Sequence, residues 1–423
     1  MKFVLASYGG RGDIEPAVVV GRELRQRGHE VCMAVPPNLV GFTEAAGLAA
    51  VPYGLDSQAI LDAQREYWTC YFRTPWKLKE LNRMGRETAD FAMRCWGEMT
   101  TTLVPLARGA DLLMTGLIFE QPAANVAEYH GIPLSTLHFF PVRAHGQLLR
   151  FLPSPLARTA MTMNDWLVWR GTRKGEDVQR RELGLPKAKS SAPHRIAERG
   201  SLEIQAYDEV YFPGLASEWA KQASLNRPFV GALAMQLATD ADAEVASWIA
   251  AGTPPICFGF GSIPLRSPAD TIAMIAAACA ELGERALVCS GSTDFTGVPH
   301  FEHVKVVGVV NYATIFPACR AVVHHGGAGT LAACLRAGVP QLILWTLPDQ
   351  PFFAAQLKRL KVGAGRRFST TTAKSLVADL RRVLAPQYVA CAREITAHIT
   401  EAAKSAMAAA DLVEDFARVQ HTG

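Results

Sequence analysis

The sequence carries little net charge: 43 Lys and Arg stand against 39 Asp and Glu, a formal +4, so the strong basic footprint that nucleic acid demands is absent. It also lacks cysteine spacing suited to metal or disulfide chemistry. Its nine cysteines never come closer than ten residues and form no C-x-x-C pair, which reads as buried thiols in a reducing, cytoplasmic compartment. No apolar run is long enough to cross a bilayer, the longest later one being 272–280. The opening MKFVLASYGG meets glycine too early for a signal-peptide core, so any membrane contact is expected to be peripheral.

What is present is alternation. An apolar run at 3–7 leads into Gly9, Gly10 and Gly12. Ile14, Ala17, Val18, Gly21 and Leu24 then recur at helical spacing, and EVCMAV at 30–35 and AAVPY at 49–53 follow. The pattern returns over 111–137 and, in a second set, over 254–262, 285–291, 304–310, 321–327 and 340–345. At 423 residues the chain exceeds one core, and two doubly wound Rossmann-like α/β domains are expected in tandem. The boundaries predicted are 1–212 for the first domain, 213–231 for a linker, 232–404 for the second domain and 405–423 for a final helix returning to the first. Insertions at 57–107 and 143–200 carry Trp68, Trp76, Trp96, Trp166 and Trp169.

In open α/β sheets ligands bind at the carboxyl ends of strands, and a glycine-rich turn into a helix presents bare amides to phosphate. AVVHHGGAGT at 321–330 is such a turn, and its alternative reading is an ordinary glycine turn with His324 satisfied in the core. Ser262 ends another strand of the same sheet, and Asp349 and Gln350 follow a third, where they either read sugar hydroxyls or cap a helix. In the first half Asp13 follows SYGGRG and by spacing alone reads as an N-cap. Glu15 occupies the third glycine position of G-x-G-x-x-G, which disfavours a nicotinamide-dependent dehydrogenase. Asp240-Ala241-Asp242 lies before a helix and reads as solvated caps, not a metal motif, while His29, His130 and His138 read by themselves as packing or surface residues.

HHGGAGT, AGVPQLILWTLPDQPFFA and GGRGDIEP together resemble the family 1 glycosyltransferases of the GT-B fold, above all those that decorate glycopeptide antibiotics and mycobacterial glycopeptidolipids. The resemblance implies two Rossmann-like domains facing across a cleft and inverting, metal-independent transfer with no cofactor. The implied donor is a dTDP- or UDP-sugar such as a rhamnosyl or 6-deoxytalosyl nucleotide. The implied acceptor is a hydroxyl of a lipopeptide, glycolipid or natural product. It also implies His324, Gly326, Gly327, Gly329, Thr330 and Ser262 on the pyrophosphate, Asp349 and Gln350 on the sugar, and the Val310 backbone near the base, where Val309 replaces the stacking tryptophan of plant members. Asp13 would be the general base, with Gly10 and Arg11 approaching the diphosphate and Trp68, His138 and Arg143 contacting the acceptor. The rival functions are a nucleotide-sugar 2-epimerase and a non-catalytic nucleotide-sugar-binding helper.

Overall fold

A computed structural model of the chain describes residues 1–422 apart from 75, 149–151, 223–224, 262–264, 266 and 292. It divides into two units, the first comprising Met1–Ala234 with Thr400–Gly423 and the second Met235–Ile399.

Unit 1 is built on β1 (Lys2–Ala6), β2 (Glu30–Val35), β3 (Ala49–Pro52), β4 (Leu112–Gly116), β5 (Leu134–His138) and β6 (Leu202–Gln205). All pair in parallel, in the order β3-β2-β1-β4-β5-β6. Helix α1 (Arg11–Gln26) buries Ile14, Ala17, Val18, Gly21 and Leu24, the residues whose spacing marks it in the sequence. The 57–107 insertion is a pair of helices, α2 (Ser57–Arg73) and α3 (Leu78–Leu106), and α4 (Glu120–His130) links β4 to β5. The 143–200 insertion supplies α5 (Ser154–Glu182).

Strand β6 escapes the periodicity because LEIQ carries two polar residues, yet all four of its residues are buried. Glu203 is matched there by Arg227 at 2.8 Å and by Arg143, and Gln205 by Tyr207 at 2.8 Å. The segment 213–231, whose lapse of pattern suggests a linker, is packed into unit 1. Leu215, Trp219 and Val230 are buried, and Trp219 stacks on Phe229. The C-terminal helix Ala402–Thr422 also belongs to unit 1, joined to it by Arg27 to Asp411 at 2.6 Å and His29 to Glu414 at 2.8 Å.

Unit 2 holds β7 (Ile256–Gly259), β8 (Ala286–Cys289), β9 (Val304–Val307), β10 (Ala321–His324), β11 (Gln341–Trp345) and β12 (Gly363–Arg367), ordered β12-β11-β10-β7-β8-β9 and parallel throughout. Read from the β9 edge, this is the same winding as unit 1. β12 is missing from the sequence reading because GAGRR has almost no apolar signal; Gly363 lets it press against the Gln341 carbonyl, which a Cβ would approach to 2.4 Å. Helices α6 (Ala328–Ala337) and α7 (Gln350–Leu360) follow β10 and β11. No described helix is long and apolar enough to cross a membrane.

Candidate functional site

Each sheet reverses its direction of winding once, between β1 and β4 in unit 1 and between β7 and β10 in unit 2. The strand ends at such a point splay their connections apart, and the crevice left there is where open α/β sheets take ligands.

In unit 2 the crevice is framed by the end of β7 and the turn from β10 to α6. Gly326 has φ +99°, and a Cβ on it would stand 2.9 Å from Ile343 Cγ2 and 3.1 Å from Gln350 Cβ, so no other residue fits. The first i→i−4 bond of α6 runs from Leu331 N to Gly327 O, which leaves the amides of Ala328, Gly329 and Thr330 outside the intrahelical ladder. The first turn holds no acidic residue, and the helix terminus contributes about half a positive charge there.

The two adjacent histidines separate into two roles. His324 ends β10 fully buried, with Nε2 on Gln341 Oε1 at 2.9 Å and Nδ1 accepting the Gly326 amide at 3.2 Å. Burial pushes it down to about 3, with His325 adding to the effect. The expectation that His324 contacts a pyrophosphate is therefore corrected: both nitrogens are spent on the protein, and the residue shapes the turn. His325 is the one the sequence reading passes over. Its ring bonds the Gly259 backbone, and burial pushes it down to about 4. Its Nδ1 is buried without a hydrogen-bond partner. Gly261, at φ +65°, makes room for the ring, since a Cβ there would lie 2.5 Å from His325 Cε1. Thr346 Oγ1, just past β11, is likewise buried and unpartnered. Two buried polar atoms without protein partners thus stand just beyond neighbouring strand ends, where a polar ligand could reach them. The doubled histidine in HHGG was the available signal for the first; nothing in the sequence marked the second.

Gln350 does not extend into open space. Its Oε1 accepts the amides of Thr346 at 2.7 Å and Leu347 at 3.0 Å, closing the β11–α7 turn, and the residue is 3% exposed. Its assignment to the sugar is corrected accordingly. Asp349 beside it is exposed, at the N-cap of α7 without a side-chain capping bond. The side chain of Val310 is buried in the core with Val245 and Phe316, which leaves its backbone, while Val309 is half-exposed. Ser262 lies outside the described residues. Asp242 is a cap: it accepts Thr239 N and Asn311 N, each at 2.8 Å. Among the described residues no three His, Cys, Asp or Glu side chains are grouped to hold a metal ion.

In unit 1 the turn after β1 places Gly10 at the N-cap of α1 and Asp13 at the third helical position. By spacing alone Asp13 reads as the cap itself; instead its Oδ2 reaches back to accept the Gly10 amide at 2.7 Å. Asp13 stays half-buried at the switch point. Arg11, expected near a diphosphate, is engaged within unit 1 by Glu15 at 3.2 Å and by the Phe42 ring at 4.8 Å.

The proposed acceptor contacts divide. Trp68 sits in an aromatic cluster on α2, edge-on to Tyr67 at 5.3 Å and Tyr71 at 5.6 Å. His138 and Arg143 are buried and belong to a charge cluster instead. Arg143 forks onto Glu120 at 2.9 and 3.1 Å and onto Glu203, and His138 Nε2 meets Glu120 Oε1 at 2.5 Å. Burial alone would raise Glu120, but Arg143 and His138 outweigh it and hold the carboxyl down to about 2. These residues lock the segment after β5 onto the sheet, so their role as acceptor contacts is corrected.

Residues 288–415 match the family described as the C-terminal domain of erythromycin biosynthesis protein CIII-like proteins. A Mycobacterium tuberculosis protein named as an uncharacterized glycosyltransferase is 61% identical over 421 residues, covering 99% of each chain. The vancomycin aglycone glucosyltransferase of Amycolatopsis orientalis is 28% identical over 393 residues, 92% of this chain and 91% of that one. Among solved structures, the glycotransferase of kitacinnamycin superposes with a TM-score of 0.71 at 18% identity over 98% of both chains. The glycosyltransferase VinC in complex with DTDP gives 0.66 at 21% over 100% of both. The spinosyn rhamnosyltransferase SpnG gives 0.65 at 16% over 98% of this chain and 99% of its own.

Proposed function

The chain belongs to the family 1 glycosyltransferases and has their GT-B fold, and from that premise we propose that it transfers a deoxysugar from a thymidine or uridine diphosphate donor to a hydroxyl of a lipid-linked or natural-product acceptor, with inversion and without a metal. The observation that carries the donor site is the turn at the unit 2 switch point, which holds both the α6 amides outside the helical ladder and the orphaned His325 Nδ1. A diphosphate is the ligand that uses both: its charge meets the helix terminus, and its oxygens meet the amides. The DTDP bound by VinC and the rhamnosyl transfer named for SpnG support a thymidine-linked 6-deoxysugar.

In the proposed step the acceptor oxygen attacks the anomeric carbon as its proton passes to Asp13, and the bond from that carbon to the β-phosphate oxygen breaks with its electron pair leaving on the diphosphate. The α6 terminus stabilises the charge that develops there. Asp349, exposed next to the same strand ends, is the sugar-reading carboxylate.

Asp13→Asn is the informative test, because the amide oxygen still accepts the Gly10 N–H while the basic lone pair is lost. Turnover should fall by about a hundredfold or more, with donor affinity and melting temperature close to wild type. A loss of turnover matched by a loss of donor binding or of stability would assign Asp13 to the architecture of the turn.

A further inference from the structure

Helix α5 is amphipathic the wrong way round for a helix that only covers a domain. The fully buried residues on the side facing the rest of unit 1 are small or polar: Ala157, Gly175, Glu176, Gln179 and Arg180, with Gln179 on the Trp96 indole at 2.8 Å and Arg180 on Glu128 at 2.8 Å, while Trp169 is half-buried against Glu176. Its outer stripe is apolar. Leu156, Met163 and Leu167 follow at spacings of seven and four and are 57%, 59% and 56% exposed, flanked by Trp166 at 47%. Soluble helices present the reverse pattern, and an apolar stripe left outside marks a contact surface.

The same stripe continues into cations. Arg170 and Lys174 are the next residues on it, both exposed, and Arg170 lies over the Trp166 ring at 5.3 Å. Helix α3 packs beside α5. Met93 fills the space where a Cβ on Gly175 would stand, and Trp96 bonds Gln179. The two helices therefore run in the same direction, and the start of α3 points toward the start of α5. There, just before and at the beginning of α3, stand Trp76 at 72% and Leu78 at 66% exposure.

We propose that this face docks unit 1 on a bilayer bearing anionic headgroups, the apolar and indole side chains entering the interface and Arg170 and Lys174 lying against phosphate. Leucine, tryptophan and long cationic side chains on one helix are the composition of an interfacial anchor. The occupant is chosen by charge: exposed Arg170 and Lys174 at the end of the apolar stripe complement anionic headgroups. The docking is independent of the transfer chemistry and stands whether or not that reading holds.

The test is flotation of the full-length protein with vesicles of phosphatidylglycerol and phosphatidylcholine in equal parts, and with phosphatidylcholine alone, accompanied by light scattering. Binding to the anionic vesicles and not to the neutral ones is expected. The pair Trp166→Gln with Leu167→Gln should abolish it, and the pair Arg170→Gln with Lys174→Gln should weaken it by about 20- to 30-fold. All four side chains are exposed, so unchanged melting and unchanged nucleotide affinity separate loss of docking from loss of folding or of the donor site. Absence of binding to anionic vesicles, equal binding to neutral ones, or a dimer dispersed by the Trp166 and Leu167 substitutions would each overturn the proposal.

Discussion

His324 and Gln341 face each other across the β10–β11 pair, Nε2 to Oε1 at 2.9 Å, and this bond fixes which nitrogen of His324 carries the proton and which accepts the Gly326 amide. The turn that shapes the proposed donor crevice thus hangs on a residue whose nitrogens are spent within the protein. The neighbouring His325 takes the exposed part of the task.

The two histidines should separate on mutation. His324→Ala removes a fully buried ring and orphans two polar groups, and about 2–4 kcal/mol of stability should be lost in a denaturant titration. His325→Ala should raise the nucleotide-sugar dissociation constant by about 10- to 100-fold, read by calorimetry. If the effects came out the other way round, the assignment of roles would be reversed.

Donor affinity should depend on pH through His325. Burial pushes this ring down to about 4, so it is neutral near pH 7, and a bound diphosphate opposite Nδ1 favours the protonated form. Binding then takes up a proton, and affinity should strengthen by up to tenfold per pH unit as pH falls from the raised bound-state value toward about 4. Calorimetry of a nucleotide sugar in buffers of different ionisation enthalpy reads the proton directly. A nucleotide sugar whose affinity stays flat from about pH 8 to 5 would remove His325 from the phosphates.

Gly261→Ala should damage the same site from the other side. The residue sits at φ +65°, and the added methyl would meet His325 Cε1 at 2.5 Å. Backbone strain of about 1–3 kcal/mol is expected, together with loss of donor binding. Wild-type affinity in this variant would mean that the His325 ring lies elsewhere.

The buried charges of unit 1 make a stability prediction. Arg143→Met removes the guanidinium that Glu120 and Glu203 share, leaving Glu203 to Arg227 and Glu120 to His138 alone, and should cost about 3–5 kcal/mol. Glu120 is held down to about 2 in the folded chain, below its unfolded value of about 4.3. Its contribution is therefore fully present above that unfolded value and is lost as pH falls through about 2. Urea titrations between neutral pH and about pH 3 should show part of this acid destabilisation in wild type and less of it in Glu120→Gln.

Much of this was legible in the chain itself. The recurring apolar runs and their helical partners marked ten of the twelve strands' neighbourhoods and both glycine turns, because period and turn chemistry are local properties. Strands β6 and β12 were not legible: LEIQ is buried only because Arg143, Arg227 and Tyr207 arrive from elsewhere to satisfy it, and GAGRR pairs only because β11 is already in place beside it.

The same limit governs the site. Composition and spacing by themselves determined two wound sheets, a glycine-rich strand-to-helix turn in HHGGAGT and a carboxylate at the head of α1. Only the tertiary structure decided that His324 is consumed by Gln341 while His325 keeps a bare nitrogen, that Gln350 closes its own turn, and that Arg143 is an interior ion with His138 buried beside the same carboxylate. A side chain's use depends on which partners reach it first, and those partners lie 17 residues away for His324 and 60 for the Arg143–Glu203 pair. Distances of that kind are set by how the sheet is wound and leave no mark on the local pattern of residues.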